Sequence, residues 1–351
     1  MQINRSLFVW GLMANSPSST NNIGSSQTSA RKHVLAYLND NKDGASSPPA
    51  HIPFYKCLID VLIGHEASCH GEEVHEVPCK VQYQRDECAV IISSQSLLND
   101  DKDHRAYNLT LLHAGEGCPM RRLTSNDIPS SIQDAYKEAS SQTPPHVRVA
   151  TSILVVSADN RILLTRRSSH LRSFPSAWVV PGGHVDPFES SLEQAAAREL
   201  EEETGVQIPS PLDQIEASVV YESAFPATLE NGLVKHRHLI MYMIARLDLE
   251  HQDVKVSPNP DEVDATVWID ADQLGLVFSS NAQDAETCRS SNFEARVYQE
   301  GKEGGNSKWA LQSMSLNRLR QRMDATTGGL ENERISTGVR LAIQYVIPDL
   351  K

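Results

Sequence analysis

Apolar positions in the first 140 residues come in short runs broken by polar turns, as in Leu58–Ile63 and Ala89–Ile92. They predict a small amino-terminal domain of no clear type over residues 51–140. Ahead of it, residues 1–50 are rich in Ser, Asn, Gly and Pro and read as a low-complexity segment. From Val147 the pattern sharpens. Val147–Val156, Arg161–Arg166 and Trp178–Val180 read as strands, separated by turn signals at Asp159-Asn160 and from Ser173 to Ser176. A helix is predicted from Leu192 to Thr204, followed by strands at Ser218–Tyr221, Leu239–Leu247 and Ala265–Ile269. Strands on both sides of one helix predict a mixed α/β domain over 146–280. Residues 281–308 turn polar and read as a linker. Beyond them Ile335, Val339, Ala342, Ile343 and Val346 recur at helical spacing before Pro348, so 309–351 is expected to be a helical extension packed on that domain.

The chain has 351 residues, enough for two domains, and 40% of them are hydrophobic. Its formal net charge of -13 argues against broad wrapping of nucleic acid, which needs many cations. No apolar run approaches the roughly 18 residues that cross a bilayer. Six cysteines without a C-x-x-C pair point to a reducing, intracellular and cytoplasmic setting. The run Ser6–Ala14 resembles a minimal signal-peptide core, but only one cation, Arg5, precedes it, and an ordinary chain start is the preferred reading.

The charge is concentrated. Residues 182–206 carry seven acidic side chains against one Arg, a net of -6. From Leu192, the face shared by Ala195, Ala196, Glu199, Leu200 and Glu203 begins small and apolar, then fills with carboxylates, with Glu202 at its edge. Carboxylates that point inward repel and lose hydration unless a cation neutralises them. Hard oxygen donors suit Mg2+ or Mn2+, which makes Glu199, Glu202 and Glu203 the candidate metal ligands. A solvated acidic face is the plain alternative. Gly182-Gly183 is expected to make a turn that lets phosphate approach, Arg198 to orient a carboxylate, and Gly205 to cap the helix.

At Gly183, Glu189, Arg198-Glu199-Leu200, Glu202-Glu203 and Gly205-Val206 the sequence resembles the Nudix hydrolases. Eight residues rather than the family's seven separate Glu189 from Arg198, and the extra one is expected near Ser190-Ser191. The resemblance implies a Nudix α/β/α sandwich with a mixed sheet, and metal-dependent hydrolysis of a nucleoside diphosphate linked to another moiety. Glu202, Glu203, Arg198 and Glu262 are then the candidate catalytic residues, with Glu202 or Glu262 as general base.

Blocks spread over residues 150–345 resemble the nucleoside diphosphate-linked moiety X motif 17 group, which implies a capped-RNA substrate and release of N7-methyl-GDP. Leu163–Arg172 followed by Pro181-Gly-Gly183 partly resembles coenzyme A diphosphatases instead. Arg166, Arg167 and Arg172 suit the phosphates of either substrate. Lys235-His-Arg-His238, near Tyr221 and Tyr242, is a candidate base-stacking patch, with His236 and His238 as contacts. A non-catalytic nucleotide sensor is a further alternative. His65, Cys69, His70, His75, Cys79 and Cys88 were weighed as a zinc module, but their spacing lacks a tight knuckle and ordinary Cys and His side chains are preferred.

Overall fold

A computed structural model describes residues 33–39, 49–63, 76–94, 105–113, 118–123, 128–142, 145–227, 229, 232–299, 308–320 and 334–347. The elements before residue 145 are β1 (Leu35–Leu38), β2 (Ala50–His51), α1 (Leu58–Ile63), β3 (Glu76–Gln84), β4 (Ala89–Ser94), β5 (Arg105–Leu112), α2 (Pro119–Arg122) and α3 (Ser130–Ser140). Then come β6 (Arg148–Val156), β7 (Arg161–Arg167), β8 (Trp178–Val179), β9 (Gly182–His184) and α4 (Leu192–Thr204). They are followed by β10 (Ile215–Phe225), β11 (His236–Arg246), β12 (Val263–Asp270), α5 (Ala271–Phe278) and α6 (Ala282–Ser290). The chain ends with β13 (Asn292–Gln299), β14 (Lys308–Ser315), α7 (Asn317–Arg320) and α8 (Thr337–Val346).

One mixed sheet runs through the molecule in the order β14-β13-β12-β7-β6-β11-β10-β5-β3-β4-β1-β2. The strands of the 51–140 region therefore do not form a sheet of their own. β5 lies parallel to β10, with Thr110 opposite Val219 and Leu112 opposite Tyr221. At the other end β1 returns to β6, where Ala36 donates to the Val147 carbonyl and Val149 to that of Val34. Seven strands thus close into a circuit, β6-β11-β10-β5-β3-β4-β1. Three expectations are corrected here. The 1–50 segment contains β1, because Val34, Ala36 and Leu38 are buried. The supposed linker 281–308 holds α6 and β13, whose Phe293, Ala295 and Val297 alternate into the core while Asn292, Glu294 and Arg296 face out. The 309–351 extension likewise begins with a strand, β14, before its helices.

Alternation along β6 separates two cores. Ile153 and Val155 join one cluster, with Val81, Leu109, Leu192 and Leu200; Leu154 and Val156 join the other, with Val277, Phe278, Val339 and Ile343. Helices on both faces of a mixed sheet make the α/β/α sandwich. No helix among the described residues is long and apolar enough to cross a membrane.

The acidic helix α4 owes its place to both halves of the chain. Leu192, Ala195, Ala196 and Leu200 are fully buried, and a buried Leu contributes about 1.5–3 kcal/mol. Ser191 caps its start by accepting from the Gln194 N–H, and Gly205, at φ 70°, ends it in the left-handed region. The amino-terminal strands hold its first turn. Tyr107 Oη donates to Glu193 at 3.1 Å, Arg105 pairs with the same carboxylate at 3.1 Å, and Tyr83 Oη donates to the Glu189 carbonyl at 2.9 Å.

Candidate active site

Gly182 and Gly183 do not form a turn. They are strand residues of β9, paired with Ser152 and Thr151 of β6, so the expected turn is corrected to an extended edge. Their lack of a side chain matters through close approach. A Cβ at Gly182 would overlap the Thr151 carbonyl, and one at Gly183 would overlap the Glu199 carboxylate. Gly183→Ala is therefore expected to displace that carboxylate by about 1 Å and lower kcat roughly 100-fold with the fold intact, as steady-state kinetics beside circular dichroism would show.

The loop after β9 brings Glu189 back over α4. At the start of α4 the Ser190 N–H and hydroxyl both donate to Gln194 Oε1. Arg198 then reaches the buried Glu189 through Nε at 2.6 Å. The same guanidinium donates from Nη1 to Glu199 and Glu202, each at 2.9 Å, and from Nη2 to the His184 carbonyl at 3.0 Å. A planar fork with five donors fits four acceptors at once, which an ammonium group does not.

Glu203 is 7% exposed, and its Oε2 has no hydrogen-bond partner. Burial, and then the neighbouring Glu199 charge, push its carboxyl up to about 8, while Arg167 opposes the shift. Burial also lifts Glu199 to about 6 against the pull of Arg198. A buried and a partly buried carboxylate that cannot both ionise comfortably, the buried one with an orphaned oxygen, fit a divalent cation held by hard donors. Glu199 and Glu203 would hold it. Glu202 lies on the rim, half-exposed and bonded to Arg198. Glu262 is an exposed residue of the loop before β12, yet close enough that its charge acts on Glu199, Glu203 and Arg167.

A cavity of about 300 Å³ opens beside Gly182 and Gly183. Its walls include Phe174, Tyr221, Phe225 and Tyr242, with Arg167 toward the carboxylates and Arg334 toward α8. The carboxy-terminal segment completes it. Trp178 of β8 donates to the Arg334 carbonyl at 2.8 Å and accepts from the Ser336 N–H at 2.9 Å, which sets the start of α8 against the rings. Gly338 lies so close that a Cβ there would stand 2.6 Å from the Tyr221 ring.

The arginines part company by strand alternation. Arg167 lines the cavity, and Nε donates to the Ser173 carbonyl at 3.1 Å. Arg166 points the other way, paired with Asp264 at 2.5 Å and set over Trp178. Arg172 is exposed and outside the cavity lining. Of the two histidines, His238 lines the cavity and His236 is exposed beside Phe225. The Nε2 atoms of His238 and His184 are 3.0 Å apart; burial and then His184 lower His238 to about 3, and burial and then His33 lower His184 to about 4, so neutral imidazoles face the cavity. Arg237, between them in sequence, is fully buried and bound to Glu222.

Sequence reasoning missed His184, Phe174, Phe225, Arg334 and Gly338 as site residues. Only the helical spacing after Ile335 hinted that the carboxy terminus packs back. His65, Cys69, His70 and His75 of the supposed zinc module lie outside the described residues, while Cys79 and Cys88 are buried singly in the core.

A NUDIX domain model matches residues 146–289. The zebrafish (Danio rerio) protein m7GpppN-mRNA hydrolase NUDT17 is 33% identical over 238 residues, 67% of this chain and 75% of that protein. Its human (Homo sapiens) namesake is 35% identical over 133 residues, 37% of this chain and 40% of that protein. An Escherichia coli protein named uncharacterized Nudix hydrolase NudL is 36% identical over 96 residues, 27% of this chain and 50% of that protein. The chain thus spans under half of the human relative's length and three quarters of the zebrafish one's. Because the shared sequence runs through the helix on which Arg198 gathers its carboxylates, the chain belongs to the Nudix hydrolases, enzymes that cleave phosphorus-containing acid anhydrides.

Proposed function

We propose that the protein hydrolyses the diphosphate linkage of m7GpppN-capped RNA and releases N7-methyl-GDP, with Mg2+ or Mn2+ as cofactor. The observation that carries this proposal is the aromatic cavity that adjoins the Gly183 edge of the carboxylate site. Tyr221, Tyr242, Phe174 and Phe225 offer ring surface for a base, and Arg167 stands at the junction where phosphates would pass. Relatives 33% and 35% identical to this chain are named m7GpppN-mRNA hydrolases, which supports the same substrate class.

In this scheme Arg198 fixes Glu189, Glu199 and Glu202 in place, and Arg167 orients the diphosphate against the carboxylates. Glu199 and Glu203 would hold the divalent cation, which would supply Lewis-acid polarisation of the substrate. Glu202 is tied to Arg198, so Glu262, across from α4, is assigned as acceptor of the water proton. Of the three arginines expected to meet phosphate, Arg166 is engaged by Asp264 and Arg172 lies off the cavity, which leaves Arg167 for either a capped-RNA or a coenzyme A substrate.

The test offers purified protein capped RNA, coenzyme A and ADP-ribose with Mg2+ or Mn2+. Capped RNA should turn over at least about tenfold faster than the others, and Arg167→Ala should raise KM for it by about tenfold. Preference for coenzyme A would overturn the capped-RNA assignment. Turnover of none, with nucleotide binding retained, would favour a sensor.

A further inference from the structure

Away from the catalytic carboxylates, Cys57, His113 and Cys118 bring a sulfur, a ring nitrogen and a second sulfur within 4.8 Å of one another, all buried. Cys57 Sγ lies 3.1 Å from His113 Nε2. Tetrahedral zinc, with Zn–S of about 2.3 Å and Zn–N of about 2.0 Å, places such donors roughly 3.5 Å apart, so small movements bring these three into three of its four positions. We propose that these three residues form a zinc site, distinct in place and in donor chemistry from the Mg2+ or Mn2+ site on α4.

Four features favour zinc there. Thiolate and imidazole donors select a softer ion than the carboxylates do. Two thiolates neutralise the charge of Zn2+, which suits burial, where an unpaired charge is expensive. Cys118 Sγ accepts from the Cys57 thiol and from the backbone N–H groups of Arg121 and Met120, donors that also suit a metal-bound sulfur. The adjacent Glu222 is already balanced by Arg237 and also accepts the Leu58 N–H, so it adds no uncompensated charge. Binding would release the thiol protons to solvent.

The location gives the ion a use. Cys57 precedes α1, His113 follows β5 and Cys118 precedes α2, while Glu222 neighbours Tyr221, a wall of the substrate cavity. Zinc would therefore tie α1, the end of β5 and α2 to one another beside β10, behind that wall.

The full chain, purified in reducing buffer without chelator, should contain about one zinc per chain by mass spectrometry of the metal. Cobalt exchanged into it should give a thiolate-to-cobalt charge-transfer band. Cys118→Ser should lower zinc at least about tenfold, whereas His113→Cys, a competent ligand set, and Glu203→Gln, which disables only the carboxylate site, should retain it. Absence of zinc together with absence of the cobalt band would overturn the site. So would retention of zinc by Cys118→Ser, loss of zinc in Glu203→Gln, or a Cys57–Cys118 disulfide in the protein as purified.

Discussion

Glu203→Gln is expected to lower hydrolysis by about 1000-fold while making the protein, stripped of Mg2+ and Mn2+, more stable at alkaline pH. Both effects come from one buried carboxyl. Burial and Glu199 raise it to about 8, so the folded state holds its proton more tightly than the unfolded state does. Stability of the stripped protein therefore falls as pH rises from the ordinary carboxylate range to about 8, and the full penalty remains above that. Glutamine carries no such penalty. The variant should match the parent near pH 5 and exceed it by on the order of 3 kcal/mol near pH 9. Added Mn2+ should reverse the order, since the parent gains binding free energy that the variant has lost. Thermal melts from pH 5 to 9, with and without Mn2+, read this directly. A variant equally destabilised at every pH, or one with parental turnover, would remove Glu203 from the metal site.

Arg198→Lys should be nearly as damaging, although it conserves charge. The ammonium group cannot serve Glu189, Glu199, Glu202 and the His184 carbonyl together. Misplacing Glu199 should lower kcat about 100-fold. Arg198→Ala should in addition destabilise the protein by about 3 kcal/mol, because the buried Glu189 loses its cationic partner. Pairing Arg198→Ala with Glu189→Gln separates the two roles. Urea unfolding should show most of the stability restored, while kcat stays low. A double variant that recovered turnover would mean that Arg198 serves stability alone.

The catalytic helix was legible because each of its constraints is local. Apolar positions at 192, 195, 196 and 200, carboxylates continuing the same face, a serine cap and a glycine stop all lie within one short stretch. What holds the helix was not legible. Tyr83, Arg105 and Tyr107 reach it from strands that begin more than 80 residues earlier, and nothing in their neighbourhood announces a partner. β13 was misjudged for another reason. Phe293, Ala295 and Val297 alternate clearly, but the charged residues between them and the glycines beyond diluted the apolar signal to that of a linker. Arg166 and Arg167 illustrate a limit of composition. Adjacent on a strand, they face opposite sides, so one meets the cavity and the other meets Asp264. Cys57, His113 and Cys118 went unnoticed because their spacing matches no knuckle; only the fold brings Cys57 to His113, 56 positions away in the chain.

The closed circuit of seven strands bears on when the active site comes into being. Its two joints pair Leu35 with Arg148 and Thr110 with Val219, partners more than 100 residues apart. Loops of that length close slowly, because chain entropy must be surrendered before any contact compensates for it. The acidic helix, being local, can form early. Its first turn gains the Tyr107 and Arg105 contacts only once both joints bring the halves together. A nascent chain can thus display the complete acidic motif and still have no catalytic geometry, so competence arrives with the last long-range pairing.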